Sequence, residues 1–311
     1  MSIAAQESPT LTHLSNDLAD AIAFAARYTV AVDARSRPDA SGIVWQPGVI
    51  ITSSHAIDGD DDVLVTTAEG STLKASLIGS DPTTDVAALA IDSSVECACA
   101  VAAEQGDLRV GSVALALGRS TDTGISASLG VVSALDGAWR TWRGGHIDCF
   151  IRPDVAFYPG FGGGPLIDTH GQLIGMNTGG LSRRIGVTVP TTTIKRIVEA
   201  LQRTGRVARG YLGIGMQPIQ LPQALQQSLG LASDGAVIAV AVEPGGPADR
   251  AGLFLGDVIL QIDAERIDTV DDMQAALGPE SVGKRVDVRI LRGGQGVTVP
   301  VTIGERPRGE E

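Results

Sequence analysis

Short apolar runs, separated by glycine, proline or aspartate, recur along most of the chain. The runs are rich in Val, Ile, Ala and Thr, and this composition with frequent turn residues is typical of β-strands. Short strands at this spacing, with little helix between them, favour closed antiparallel barrels over an α/β sheet. The runs that we predict to be strands are 28–32, 43–45, 49–52, 63–67, 73–78, 112–116, 131–134 and 173–176.

Two segments have helical spacing instead, and they flank this β-rich region. The first covers Leu14–Arg27, with Ser15 or Asn16 as its N-cap. The second covers Thr193–Arg203, and Gly205 is placed to end it. The apolar positions are Leu14, Leu18, Ile22 and Ala25 or Ala26 in the first helix, and Ile194, Ile197, Val198 and Leu201 in the second.

A second folded unit follows, opening at Tyr211–Ile214 and closing with Val297–Val301. Between these ends we predict a strand at 257–262 and helices at 248–253 and 270–277. The sequence therefore predicts an N-terminal helical segment (1–27), a β-rich domain (28–205), a second domain (206–303) and a charged, mobile tail (304–311).

Composition narrows the function classes. The chain has 311 residues, 43% hydrophobic but only 4% aromatic, and a formal net charge of -12. Nucleic acid and anionic membranes are negatively charged like this chain and would repel it, so we predict no nucleic-acid partner. The three cysteines (Cys97, Cys99 and Cys149) lack the spacing of a metal site, and we predict neither a metal nor another cofactor.

The N-terminal residues bear on location. They contain no basic region, and the apolar run Ala21–Ala26 is short and flanked by Asp20 and Arg27. These features do not match a signal peptide, and no run approaches the roughly 20 apolar residues of a membrane span. We therefore expect a cytoplasmic protein, or a periplasmic or secreted one if the chain is a processed form.

The glycine-rich segment Tyr158–Leu166 carries the most specific chemical signal. It reads Tyr-Pro-Gly-Phe-Gly-Gly-Gly-Pro-Leu and resembles the nucleophile loop of trypsin-like proteases of the HtrA/Deg family, Pro-Gly-Asn-Ser-Gly-Gly-Pro-Leu. The alignment puts Phe161 at the asparagine and Gly162 at the nucleophilic serine. A phosphate-binding loop would need a following helix and usually a lysine, and Pro165 follows here instead.

The resemblance implies a trypsin-like fold of two six-stranded β-barrels followed by a C-terminal PDZ domain, and it assigns a catalytic set. His55, after an apolar strand, matches the general base, although a lone histidine in such a place is more often structural. Asp85 matches the acid that orients the base, and Asp81 is expected to close the turn before it. The order His, Asp, nucleophile position is that of chymotrypsin-like enzymes.

Further site residues follow from the same resemblance. Gly160 and Gly162 would supply the two backbone donors of the oxyanion hole. Ser53, Ser54 and Ser182 lack the context of a nucleophile loop. The residues that match the family's substrate cleft are Asn177, Thr178, Val187 and Thr188.

The second unit resembles an HtrA-type PDZ domain. The loop formed by Tyr211, Leu212, Gly213 and Ile214 matches the loop that receives a peptide's C-terminal carboxylate, while the peptide adds as a strand to the sheet edge. The blocks at 247–253 and 256–259 also match the family pattern.

Because glycine has no side chain, the sequence predicts a protease homologue that binds peptides or unfolded polypeptides without cutting them. The alternative is a serine endopeptidase of this family, with this chain an engineered serine-to-glycine variant or a relative of the active enzyme. A third reading is regulatory, in which the chain co-assembles with an active paralogue and lends it a PDZ domain. The resemblance also implies a homotrimer formed through the helix Leu14–Arg27, and a plain packing helix is the equal alternative for that segment.

Overall fold

The computed structural model describes residues 9–34, 40–57, 63–103, 106, 108–181 and 186–306. The chain divides into two compact units, Met1–Val207 and Ala208–Glu311. None of the helices in the described ranges is both long and apolar enough to cross a membrane.

Helix α1 (Pro9–Ala26) packs on the first unit mainly through Ala21 and Ala25. It begins five residues before the predicted start, so the expected caps lie inside the helix rather than at its end. Proline is tolerated in a first helical turn because the N–H that it lacks would be unpaired there. Leu14 is 51% exposed, so the predicted apolar face is buried only in its C-terminal half.

Six of the described strands close into the first antiparallel barrel. They are β1 (Thr29–Asp33), β2 (Ala40–Gln46), β3 (Val49–Ser53), β4 (Val63–Thr66), β5 (Thr72–Asp81) and β6 (Val86–Ala90). Their order around the barrel is β1-β2-β3-β6-β5-β4. Strand β3 is buried along its whole length, and Ser53 at its end pairs with Val86 at the start of β6. This register places the turn after β3 beside the turn before β6.

A second closed barrel is built from the strands that follow. The chain continues through β7 (Val113–Ser120), β8 (Gly124–Asp136), β9 (Trp139–Arg140), β10 (His146–Ile147), β11 (Phe150–Asp154), β12 (Pro165–Ile167), β13 (Leu173–Thr178) and β14 (Val187–Pro190). The barrel order is β11-β14-β13-β12-β7-β8, while β9 and β10 form a separate hairpin. The predicted double barrel is confirmed.

Helix α2 (Thr191–Thr204) closes the first unit, with Ile194, Ile197, Val198 and Leu201 buried. Gly205 ends it as predicted, in the left-handed conformation (φ 72°), and its N–H donates to the Leu201 carbonyl at 2.7 Å. A Cβ atom on Gly79 would stand 2.2 Å from the Gly205 carbonyl oxygen, so β5 and the helix end approach as closely as glycine permits.

The second unit is a six-stranded antiparallel sheet with short flanking elements. In chain order, the strands and helices of this unit are β15 (Gly210–Tyr211), β16 (Ile214–Gln220), α3 (Gln223–Leu229), β17 (Gly235–Val242), α4 (Pro247–Ala251), β18 (Val258–Ile262), β19 (Glu265–Arg266), α5 (Val270–Ala276), β20 (Arg285–Arg292), β21 (Gln295–Thr302) and β22 (Gly304–Glu305). The sheet order is β16-β17-β18-β20-β21, with β19 paired to β18 and β22 paired to β15.

The C-terminal tail differs from expectation. Residues 304–306 do not begin a mobile tail, because Gly304 and Glu305 pair with Tyr211 and Gly210, and the Arg306 N–H donates to a backbone carbonyl. The rest of the predicted tail, 307–311, lies outside the described residues.

Candidate active site

His55 lies in a single 3₁₀ turn, Ser54–Ala56, immediately after β3. The N–H of Ser54 donates to the Asp85 carbonyl at 3.1 Å, and the N–H of His55 donates to Asp85 Oδ1 at 2.9 Å. Two hydrogen bonds from backbone N–H groups therefore hold the His55 turn against Asp85, in addition to the contact between the two side chains.

The imidazole and the carboxylate form a tight pair. His55 Nδ1 lies 2.8 Å from Asp85 Oδ2 and 3.0 Å from Oδ1. A carboxylate only accepts hydrogen bonds, so Nδ1 carries the proton and Nε2 of the neutral ring is left with its lone pair. This is the tautomer of a general base, and the His55 side chain is 51% exposed while Asp85 is almost completely buried.

The backbone at Asp85 is held in an unusual conformation. Its φ is +58°, the left-handed region that asparagine and aspartate tolerate better than most residues. The turn before it is closed as predicted, since Asp81 Oδ1 accepts the N–H of Thr83 at 3.1 Å and Oδ2 accepts the Thr84 hydroxyl at 2.8 Å.

Thr178, at the end of β13 in the second barrel, is the residue that completes the carboxylate's environment. Its hydroxyl donates to Asp85 Oδ2 in a short hydrogen bond and accepts the N–H of Gly180 at 2.8 Å. Sequence reasoning placed Thr178 in the substrate cleft and missed this contact, which joins residues 93 positions apart.

The other residues predicted to line the cleft are also buried, at 0% exposure for Asn177, 1% for Val187 and 2% for Thr188. Asn177 Nδ2 donates to the Pro165 carbonyl at 2.9 Å, and Thr188 donates its hydroxyl to Asn177 Oδ1 at 3.0 Å. Asn177 therefore supports the end of the glycine-rich loop, Thr188 holds the Asn177 side chain, and a role of these residues in substrate binding stays a prediction.

The loop that carries Gly162 is held by Ser41 of β2. The Ser41 hydroxyl donates to the Gly160 carbonyl at 2.6 Å, and the Ser41 N–H donates to the Gly162 carbonyl at 2.9 Å. Phe161 between them is buried among second-barrel side chains and packs edge-on to Tyr158 with ring centroids 5.4 Å apart. The bulky residue therefore packs into the core of the second barrel.

Of the three consecutive glycines, only Gly162 has room for a side chain. A Cβ atom on Gly163 would stand 2.2 Å from the Ser41 carbonyl oxygen, and one on Gly164 would stand 2.1 Å from the Leu117 carbonyl oxygen. A Cβ atom on Gly162 would meet His55 Nε2 and Ser53 Oγ, each at an ordinary contact distance of 3.8 Å. A side chain at position 162 would thus occupy the space next to His55 Nε2.

The two backbone donors predicted for an oxyanion hole are unpaired within the described part of the chain. No acceptor there meets the N–H of Gly160 or of Gly162. The carbonyl of Phe161 and the N–H of Gly162 belong to one trans peptide group, so they point in opposite directions. The Phe161 carbonyl accepts the N–H of Gly164 inside the turn, and the Gly162 N–H therefore points out of the turn.

Ser53 is a further polar group at this place that sequence reasoning set aside. It is completely buried, and its hydroxyl has no hydrogen-bond partner among the described residues. Its sequence context gave no signal, because its nearness to position 162 depends on how the two barrels meet. Ser182, also considered from the sequence, lies outside the described residues. The described residues contain no group of three or more His, Cys, Asp and Glu side chains arranged for a metal.

Comparison with known proteins identifies both units. A model of the trypsin-like peptidase domain matches residues 40–176, and a model of the PDZ domain matches residues 210–303. Two curated relatives, each named probable periplasmic serine endoprotease DegP-like, come from Halomonas elongata and Pseudomonas savastanoi pv. phaseolicola. They are 33% and 34% identical over 85% and 86% of this chain. The chain spans about half the length of these relatives, 56% in both cases.

Solved structures agree over nearly the whole chain. The HtrA-type protease AlgW with decapeptide superposes with a TM-score of 0.76 and 28% identity, covering 94% of this chain and 99% of that one. A serine endoprotease from Yersinia pestis has a TM-score of 0.76 and 30% identity, covering 97% and 100%.

The names of the relatives also correct the expected location. The cytoplasmic prediction is wrong, because relatives matching at least 85% of the chain are named as periplasmic proteins. Absence of a recognisable leader was the basis of that prediction, and the relatives outweigh it. The barrels, the His55–Asp85 pair and the matches over both units show that this chain belongs to the HtrA-type family of trypsin-like serine proteases with a C-terminal PDZ domain.

Proposed function

We propose that this chain is a non-catalytic member of its family, which binds peptides or unfolded polypeptides in its cleft and PDZ domain and does not cleave them. The observation that carries the proposal is that the general base is oriented, while position 162 beside it has no nucleophilic side chain. His55 is oriented by Asp85 at 2.8 Å, but the residue in front of its Nε2 atom is Gly162.

The size of the expected deficit supports inactivity. In a related catalytic system, loss of the serine lowers turnover by about 10⁶-fold. The groups that remain, backbone donors and binding contacts, still give roughly 10³–10⁴-fold acceleration over water. Uncatalysed peptide hydrolysis is so slow that cleavage stays negligible even with this remaining acceleration.

The PDZ unit supports the binding part of the proposal. Gly213 has a φ of +75°, and neither its N–H nor that of Leu212 meets an acceptor within the described residues. The adjacent strand β16 pairs only with β17 in the sheet of the described unit, so its other edge is open to an added strand. Solved structures of AlgW contain a decapeptide or a tripeptide. We assign Tyr211–Ile214 as the loop that receives a C-terminal carboxylate.

Assembly forms a separate part of the proposal. Helix α1 exposes Leu11 (66%) and Leu14 (51%), which suits packing against a further chain. We propose a homotrimer, or co-assembly with an active paralogue in the periplasm. Size-exclusion chromatography with light scattering tests the homotrimer, and a monomer of the isolated chain at micromolar concentration contradicts it.

A serine endopeptidase is the second candidate, favoured by the intact His55–Asp85 pair and by the names of the relatives. A fluorophosphonate probe, which labels activated serines, separates the two functions. We expect no labelling of the unmodified chain and no cleavage of casein. The Gly162→Ser variant should be labelled at position 162, and addition of His55→Ala should abolish that labelling. Labelling of any serine in the unmodified chain would reject the proposal.

A further inference from the structure

The hairpin formed by β9 and β10 is positively charged, although the chain as a whole is acidic. Residues 137–147 read Gly-Ala-Trp-Arg-Thr-Trp-Arg-Gly-Gly-His-Ile and include no aspartate or glutamate, whereas the formal net charge of the chain is -12. Acidic residues flank this cationic hairpin only at its base, at Asp136 and Asp148. Asp148 is already paired, with Arg196 at 3.4 Å and with His146 at 3.3 Å.

The tip of the cationic hairpin exposes an aromatic ring and a guanidinium group side by side. Trp142 is 59% exposed, and the central carbon of the Arg143 guanidinium lies 4.6 Å from the centroid of its ring. Arg143 is also exposed, and within the described ranges it forms no ion pair and donates one N–H to the Pro82 carbonyl at 3.4 Å. Tryptophan and arginine are the residue types that most often dominate binding energy at protein interfaces.

The hairpin is anchored beside the turn that leads to the catalytic acid position. Thr141 is buried, and its hydroxyl donates to the Thr83 carbonyl at 2.7 Å and accepts the Gly145 N–H at 3.0 Å. A Cβ atom on Gly145 would stand 2.3 Å from the same carbonyl oxygen, so this approach requires glycine. Thr83 lies two residues before Asp85. The tip is therefore held next to the candidate active site, and a pre-organised surface loses less entropy when it binds.

We propose that the cationic hairpin is a docking surface for acidic segments of the polypeptides that this chain binds, with Trp142 and Arg143 as the contact residues. The inference rests on the proposed function and names the class of polypeptide that the first unit selects. An acidic side chain of the bound segment accepts a bidentate pair of hydrogen bonds from Arg143, and an apolar neighbour packs on the Trp142 ring. Because the chain as a whole repels acidic segments, the hairpin decides where such a segment can lie.

Peptide binding to the full chain tests this inference. The probe is a short fluorescein-labelled peptide of alternating glutamate and leucine, blocked at both ends so that it offers no C-terminal carboxylate to the PDZ unit. The matched peptides carry glutamine or lysine in place of glutamate. Fluorescence anisotropy should show the glutamate peptide binding at least about tenfold more tightly than the glutamine peptide, with an affinity that falls as salt is added. The lysine peptide should bind no better than the glutamine peptide.

Two exposed-residue variants locate the binding. Arg143→Gln and Trp142→Ala should each weaken binding of the glutamate peptide by about fivefold or more, the effect expected of residues that dominate an interface. Arg109→Gln makes the same change of charge at an exposed position before β7, and Leu129→Ala truncates a side chain on β8 that is 58% exposed. Both control variants should bind the peptide like the unmodified chain. The tryptophan emission should shift when the peptide covers Trp142, and the shift should be absent in Trp142→Ala.

Equal affinities for the glutamate and glutamine peptides would overturn the inference, as would unchanged binding in Arg143→Gln and Trp142→Ala. Tighter binding to phosphatidylglycerol vesicles than to the glutamate peptide, lost in the same two variants, would assign the hairpin to a membrane surface and also overturn it. These outcomes leave the proposed function intact as long as the fluorophosphonate does not label the unmodified chain. Labelling would reject the proposed function whatever the peptides show.

Discussion

His55 Nε2 lies 3.8 Å from the point at which a Cβ atom of Gly162 would stand, while its Nδ1 lies 2.8 Å from Asp85. Asp85 therefore orients the imidazole through Nδ1, and Nε2 lies beside position 162, where glycine provides no side chain. Since the backbone at Gly162 is outside the left-handed region, nothing local requires glycine there. Under the proposed function, the loss of the nucleophile is thus a local change at position 162.

The neighbouring glycines give a direct test of that geometry. Gly162→Ala should change the free energy of unfolding by less than about 0.5 kcal/mol, because the methyl group meets only ordinary contacts. Gly163→Ala should cost about 2–4 kcal/mol, since its Cβ would overlap the Ser41 carbonyl oxygen and its φ is +81°. Denaturant unfolding followed by tryptophan fluorescence measures this in the first unit, which contains Trp45, Trp139 and Trp142. Equal losses in the two variants would contradict the account.

The hydroxyl of Thr178 should matter for catalysis once a nucleophile is restored. In the Gly162→Ser background, Thr178→Val should lower kcat about tenfold with little change in KM, because Asp85 loses a donor that orients it. Thr178→Ser keeps the hydroxyl and should retain most of the activity. Steady-state kinetics on a peptide substrate provides the measurement. A raised KM with an unchanged kcat would show that Thr178 acts on substrate binding instead.

Ser53 and Thr52 are adjacent, completely buried hydroxyl residues with opposite expectations. Thr52 donates to the Ser41 carbonyl at 2.7 Å, so Thr52→Val should cost about 1–2 kcal/mol. Ser53→Ala removes an unpartnered hydroxyl and should leave stability unchanged or raise it by up to about 1 kcal/mol. The same tryptophan-detected unfolding compares them, and a larger loss for Ser53→Ala would mean that its hydroxyl has a partner in solution.

Motif order was enough to predict the double barrel and to select His55, Asp85 and Gly162, because local sequence patterns mark each of them. It did not reveal how Ser41 and Thr178 support the site, because these contacts join residues 119 and 93 positions apart. Such contacts depend on barrel register and on how the barrels meet. The start of α1 was also predicted wrongly, since its first turns are exposed and leave no apolar pattern to mark the helix start.

In the PDZ unit, an ion pair should make stability depend on pH. Burial alone would raise the pKa of Asp257, but hydrogen bonds from Arg292 and from the Phe254 N–H outweigh it and hold the pKa below its usual value. A depressed pKa in the folded state adds stability above the unfolded value of about 3.9, and this stability is lost as the pH falls through the folded value. Asp257→Asn should therefore lower stability at pH 7, and the difference should shrink below about pH 4.

Hydrogen exchange of the β18 and β20 amides reports on that unit separately from the first one. Asp249→Asn is a suitable control for loss of a carboxylate, because Asp249 is exposed and, within the described part of the chain, its carboxylate accepts one local N–H bond, from Gly245. A difference between Asp257→Asn and the unmodified chain that stays constant from pH 7 to pH 3 would show that the ion pair is not its cause.

One rate comparison decides whether this chain holds an assembled protease site that lacks only its nucleophile. The measurement is the kcat of Gly162→Ser and of the unmodified chain on the same chromogenic peptide ester at pH 8. Restoring the hydroxyl beside an oriented His55 should raise kcat by at least about 10³-fold, towards the roughly 10⁶-fold that loss of such a serine costs. Equal rates, with both proteins folded, would contradict the account.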